Sequence, residues 1–236
     1  MIDARSFHNE CRRKINRINT GFSQHVKVPD LDEYINEALY TWHRNNSAKV
    51  EINSETRNDL RIFEIKNRSL EFENMDDRVV SKFPQDFYKM LNQKVIGVND
   101  KCSERTINVR VLQSGEINDL VYDPYWEPSF EWMETIGDEA NDGFHIWHNN
   151  KFEVKQVVVD YIRKPKEVRC PSLMKEGFYT IGTKRYENDS PMELDPERAH
   201  EVSDLVALFV ARDISDSQEY QSQIDKILRK DNNYTN

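Results

Sequence analysis

Glycine is scarce in this chain, with seven in 236 residues. Neither G-x-G-x-x-G nor G-x-x-x-x-G-K-[ST] occurs, so no glycine-rich loop is encoded to bring backbone N–H groups onto a nucleotide phosphate. H-E-x-x-H, G-x-S-x-G and C-x-x-C are missing as well, which removes the commonest zinc, serine-hydrolase and dithiol signatures. The three cysteines, Cys11, Cys102 and Cys170, are widely spaced and read as reduced thiols filling small buried volumes in a cytoplasmic product. No apolar run approaches the length that spans a bilayer, and Met1 to Phe7 lacks the apolar core of a signal peptide. The expectation is a soluble chain with no visible export signal.

What is present is charge. Charged residues make up 32% of the chain and apolar ones only 37%, so much of the surface must face water or polar partners. The 42 acidic and 33 basic residues sum to −9, a balance that repels nucleic acid unless positive charge is gathered in one place. The one candidate gathering is Arg12, Arg13, Lys14 and Arg17, on the polar side of a helix whose apolar side is Phe7, Cys11, Ile15 and Ile18. Aromatics, at 11%, are too many for a disordered chain.

Periodicity divides the chain. A second helix follows at Leu31, Tyr34, Ile35, Ala38, Leu39 and Trp42, with Asp30 and Glu33 placed as a capping box. From residue 61 the period shortens. Strands are expected around Leu70–Glu73, Val95–Val98, Thr106–Leu112, Phe130–Ile136, Gly143–Trp147 and Phe152–Ile162, with turns at Asn67-Arg68 and Asn149-Asn150. Short helices are expected at Phe83–Leu91 and Ser114–Val121, and Tyr122–Pro128, with two prolines and three aromatics, reads as a stiff surface loop. Arg163-Lys164-Pro165 stops the last strand. Asp195-Pro196 then opens a helix by capping and by a proline at its first position, and Ala199, Val202, Leu205, Val206, Phe209 and Val210 form its apolar face. Tyr220, Ile224, Ile227 and Leu228 suggest one more helix over Ser217–Arg229.

The expected fold class is α+β: a helical bundle formed by both chain ends with an inserted, mostly antiparallel β-rich region. Its parts are residues 1–60 (helical), 61–165 (β-rich with short helices) and 166–236 (a loop and C-terminal helices completing the helical part).

Three places invite chemistry. His145 and His148 form the closest histidine pair, but three residues apart on one strand they point to opposite faces, and no further ligand is evident beside them. His200, near Glu197 and Asp204, reads as a helix-surface or interface residue. Glu153-Val154-Lys155 is an E-x-K on a strand, with Asp138 and Asp142 upstream, and two carboxylates with a lysine can hold a divalent ion that activates water for phosphodiester cleavage. In so acidic a chain the same tripeptide also arises as an exposed strand face. The sequence therefore assigns no catalytic, cofactor-binding or metal-binding residue and no cofactor.

The order of several segments points elsewhere. Phe83–Tyr88, Asp123-Pro124-Tyr125 with Pro128, Val159–Pro165 and Glu193–Val202 together resemble the head-to-tail connector proteins of short-tailed bacteriophages, the adaptor or ring proteins of the crAss-like type included. The recurring features are a strand end matched by Tyr161, Arg163 and Pro165, and a helix opening matched by Glu193, Leu194, His200 and Val202. The resemblance runs from about Phe83 onward, and the chain departs from it in its acidity and in the long segment Asp138–Lys151. It implies a virion protein of the neck and tail region, made in the host cytoplasm. Such proteins form homo-oligomeric rings, commonly of twelve copies, beneath the portal protein, with further ring or tail proteins below and DNA passing through the channel without sequence-specific binding. On that reading the Ser217–Arg229 helix or the polar tail Lys230–Asn236 reaches a neighbouring subunit or the portal. The alternatives are a metal-dependent nuclease using the E-x-K strand and a small regulatory binding module.

Overall fold

In the computed structural model, the residues described are 1–18, 26–49, 58–99, 102–112, 117–140 and 143–214. They fall into two compact units, one combining Met1–Ile62 with Pro165–Asn236 and the other spanning Phe63–Lys164.

The second unit is one eight-stranded sheet. Its strands are β1 (Glu64–Leu70), β2 (Phe72–Asn74), β3 (Arg78–Ser81), β4 (Phe87–Asn99), β5 (Cys102–Val111), β6 (Glu134–Ala140), β7 (Gly143–Trp147) and β8 (Glu153–Arg163), with a short helix α3 (Ile117–Leu120) outside it. They lie in the order β1-β8-β4-β5-β6-β7-β3-β2. All pairs are antiparallel except β5 with β6. β1 and β2 therefore sit at opposite edges of the sheet, yet only Glu71 separates them in the chain. Two peptide steps span at most about 7.6 Å, so the edges must come together and the sheet curls on itself.

The curl encloses a core of Val79, Val95, Ile107, Phe144, Ile146, Val157 and Val159, among others. Val157, Val159 and Tyr161 keep the two-residue period that sends alternate side chains inward. Val154 is also buried but lies three residues before Val157, and the register against β4 shifts there by one residue, a bulge that restores the parity. The interior leaves no room at Gly97, where an added Cβ would lie 2.6 Å from Ile107 Cδ1 and 2.9 Å from Phe152 Cδ2.

In the first unit, α1 (Ala4–Ile18), α2 (Val28–Lys49) and α4 (Pro196–Ile214) pack together, with α4 against both others. Asp3 caps α1, accepting the Ser6 N–H at 3.0 Å, and Asp195 caps α4, accepting the Arg198 N–H at 3.0 Å. Ala199, Val202, Val206 and Val210 are the buried face of α4. Strands β9 (Tyr179–Ile181) and β10 (Lys184–Tyr186) make a small hairpin in the same unit.

A fully buried polar cluster ties these pieces together. Asp32 Oδ1 lies 2.5 Å from His8 Nε2, while Oδ2 accepts the Cys170 N–H at 3.2 Å and the Tyr179 hydroxyl. Burial and the neighbouring carboxylate push the Tyr179 hydroxyl far above its ordinary pKa, keeping it a donor. One turn on, the Asn36 side chain both donates to the Val168 carbonyl and accepts its N–H.

The expected helical bundle formed by both chain ends is not the architecture. The protein is mostly β, built on the large curled mixed sheet, and the described residues hold three helices of more than one turn. The expectation counted amphipathic stripes and gave the sheet too little of the chain. Phe83–Leu91 was the largest such error: from Phe87 it is the start of the 13-residue β4. Ladder bonds to β8 override the helical spacing, and Phe83 stacks on Phe87 at 4.4 Å. Asn67 is not a turn but sits at a bulge within β1, at φ 52°, its N–H bound to Asp160 Oδ1 at 2.7 Å. Phe130–Ile136 becomes strand only from Glu134. The α2 helix starts at Val28, which places Asp30 in its first turn and not at its cap. The expected helix over Ser217–Arg229 lies outside the described residues.

Candidate functional site

The residues that suggested chemistry are not gathered. Glu153 and Lys155 lie on one exposed face of β8, and their side chains pair with each other at 3.1 Å. Asp138 is on β6, separated from β8 in the sheet by β5 and β4, so about 14 Å of sheet lies between them at ordinary strand spacing. Its partner is His145 on β7, directly opposite in register, with Nδ1 3.4 Å from Oδ1. Asp142 lies outside the described residues. His148 follows the end of β7, where its Nδ1 accepts the Asn150 N–H at 3.2 Å, and burial lowers its pKa. Among the described residues, no three His, Cys, Asp or Glu side chains are grouped to hold a metal ion.

His200 bonds Glu10 at 2.8 Å across the contact of α4 with α1. Cys11 and Cys170 are free and buried, and burial raises both thiols, Cys170 to about 11. The basic cluster on α1 is divided: Lys14 is buried, donating to the His200 carbonyl at 2.8 Å and to Asp204 at 2.7 Å, and Arg12 donates to the Val26 carbonyl. Arg13 and Arg17 remain exposed. Among the described residues, no helix is long and apolar enough to cross a membrane.

The strongest unexplained feature is a groove over the paired strands β5 and β6, walled by the loop that precedes β6. Asp123 builds its first wall. The carboxylate accepts the Tyr125 N–H at 2.8 Å and the carbonyl accepts the N–H groups of Trp126 and Glu127, a turn that side-chain carboxylates favour. Ser129 and Glu134 build the second by exchanging backbone bonds in both directions, while Ser129 Oγ accepts the Trp132 N–H at 3.2 Å. Met133, immediately before β6, has φ 56° and its carbonyl accepts the Asn108 N–H at 2.9 Å. A long side chain held in the left-handed region is strained backbone of the kind that clusters at functional loops.

These walls hold out Tyr125 and Trp132, which are 93% and 80% exposed, with Tyr122, Trp126 and Met133 exposed beside them. The groove has a volume of about 480 Å³ and is lined by Arg110, Tyr125, Trp126, Ser129, Trp132 and Glu134, among others. The Arg110 guanidinium lies 4.2 Å from the centroid of the Trp126 ring, a cation–π contact. Lys151 pairs with Glu127 at 3.3 Å, whereas Glu131 and Glu134 are exposed with no ion pair among the described residues. Tryptophan, tyrosine, methionine and arginine are the residues enriched at the centres of protein interfaces.

Part of this surface is legible in the sequence: Tyr122–Pro128 reads as a stiff aromatic loop. Trp132 and Met133 do not, because they lie in Phe130–Ile136, which alternates like a strand. The signal that separates them is Ser129 placed three residues before Trp132, the spacing of a hydroxyl-stabilised turn.

Comparison of the chain with protein-family models and with curated proteins finds no match.

Proposed function

We propose that this chain is a non-enzymatic structural protein of a phage virion: a ring-forming head-to-tail adaptor that joins the portal protein to the tail around the DNA exit channel. The observation that carries the reading is the exposed aromatic groove. Tyr125, Trp126 and Trp132 line it and are exposed, as are Tyr122 and Met133 on the same loop, an apolar surface that a subunit covered by its neighbours would need and an isolated one would not. The charge of −9 is compatible with a channel wall, since like charge keeps packaged DNA from sticking.

A metal-dependent nuclease is the weaker reading, because Glu153 and Lys155 neutralise each other on an exposed strand far from Asp138. The test is particle mass by light scattering with negative-stain imaging of the purified protein, and its detection in purified virions. Closed rings that co-sediment with a portal protein are expected. A protein that stays monomeric at tens of micromolar and is missing from virions would end the reading.

A further inference from the structure

We infer that the groove of one copy receives the basic stretch at residues 226–230 of a second copy of this chain. The inference rests on the reading of the groove as a contact between subunits.

The groove asks for a ligand that is both apolar and cationic. Tyr125 and Trp132 offer broad π faces, and none of the described residues places a cation over either ring, while Trp126 already has Arg110 on it. Glu134 lines the groove and the exposed Glu131 precedes Trp132 in the chain, neither with an ion pair among the described residues. Cations are drawn to both features, to the ring quadrupole and to the carboxylates.

Little else in the chain meets that demand. At −9 overall, an average face of a second copy would be repelled by Glu131 and Glu134. Of the basic cluster on α1, Lys14 is held by Asp204 and the His200 carbonyl and Arg12 by the Val26 carbonyl, while the exposed Arg13 and Arg17 have only the buried Ile15 as an apolar residue between them and so bring no free apolar side chain. Arg169 is held by Glu33 and Glu167, and Arg198 by Asp59 and Glu201. Residues 226–230, by contrast, read Lys226-Ile227-Leu228-Arg229-Lys230: three cations and two aliphatic side chains in succession, locally basic although Asp225 and Asp231 flank them and residues 215–236 as a whole carry four acidic and three basic side chains. Cations for the carboxylates and apolar bulk for the indole and phenol faces occur in one short stretch.

Length permits the contact. From Ile214 the 22 remaining residues can extend about 70 Å, enough to reach a neighbouring molecule. Each copy then supplies one groove and one segment. Such a contact is heterologous, and repeated around a closed path it generates a ring.

The test uses full-length chains and measures mass by light scattering. The groove variant combines Glu131→Lys, Trp132→Ala and Glu134→Lys, and the segment variant combines Lys226→Glu, Arg229→Glu and Lys230→Glu. Equal urea midpoints for variant and wild type check that the fold is intact. Each variant alone should stay monomeric where wild type assembles, and Trp132→Ala by itself should weaken self-association about thirty-fold, as a central interface tryptophan does. A one-to-one mixture at high protein concentration should recover a two-copy particle, because one sound groove then meets one sound segment. Wild type that assembles while the variants keep its mass, or while the mixture stays monomeric, overturns the inference and leaves the ring reading standing. Wild type that stops at two copies while the mixture still pairs overturns the ring and leaves the inference standing. Wild type that never assembles overturns both.

Discussion

Replacing Asp32 with alanine should cost about 3–5 kcal/mol of stability. The carboxylate is fully buried and meets His8 Nε2 at 2.5 Å, the Cys170 N–H at 3.2 Å and the Tyr179 hydroxyl. Alanine removes both acceptor oxygens and leaves these polar groups without water. A buried orphan costs about 1–3 kcal/mol. The long Cys170 bond contributes the least of the three, so their sum starts near 3 kcal/mol. With two of the three groups left at the upper part of that range the sum reaches about 5 kcal/mol. Whole domains hold about 5–15 kcal/mol, so the variant should unfold at a much lower urea concentration.

Tyr179→Phe is the control. It removes one donor but leaves Asp32 its other two, and should cost about 1 kcal/mol. Urea unfolding followed by far-ultraviolet circular dichroism measures both losses, and the double variant measures their coupling, because Tyr179→Phe should cost little once Asp32 is gone. An Asp32→Ala loss below about 1 kcal/mol, or additive losses in the double variant, would refute the account of this cluster.

The double variant Glu153→Ala with Lys155→Ala should shift stability by no more than about 0.5 kcal/mol, since both side chains are exposed; Mg²⁺-dependent plasmid cleavage by wild type that vanishes in this variant would instead establish the nuclease. Duplex DNA should bind only weakly, through Arg13 and Arg17, with log K falling against log salt at a slope of about −2; tight binding at physiological salt would contradict the burial of Lys14. Burial depresses the His148 pKa, so the unfolded chain takes up this proton first. The contribution is whole above the ordinary histidine pKa and is lost as pH falls through the lowered folded value. His148→Gln should flatten that part of the stability profile measured by urea titration, and an unchanged profile would count against the burial effect.

What the sequence reveals tracks how local the cause is. Asp195 caps α4 through a bond to a residue three places on, and Asn149-Asn150 turns because both residues adopt positive φ, a conformation asparagine tolerates better than most; both are visible in short windows. Strand β8 is visible because Val157, Val159 and Tyr161 alternate. The curl of the sheet is not, since it depends on β1 and β2 lying at opposite edges while only Glu71 joins them. The partners of Asp32 are equally hidden, with His8 24 residues away and Tyr179 147. Residues 87–91 pair with β8 more than 70 positions later, and a window of helical spacing cannot register that.

The exposed aromatics also bound how strongly copies can hold one another. A tryptophan or tyrosine carries roughly 150–250 Å² that burial can remove from water, so covering Tyr125 and Trp132 together would remove about 300 Å². At about 25 cal/mol per Å² this is worth about 7.5 kcal/mol. Association costs about 4–15 kcal/mol in lost freedom before any contact contributes. The area of these two rings alone does little more than offset that loss, so a pair of copies joined by one groove contact should form only at high protein concentration. Closing a ring changes the balance, because the last copy makes two contacts for one loss of freedom, and each groove then works at the high effective concentration of a linked partner. A chain at −9 must also overcome its own repulsion on assembly. Weak single links with a favourable closed state lead to assembly that rises steeply with concentration, with few species between the free subunit and the complete particle.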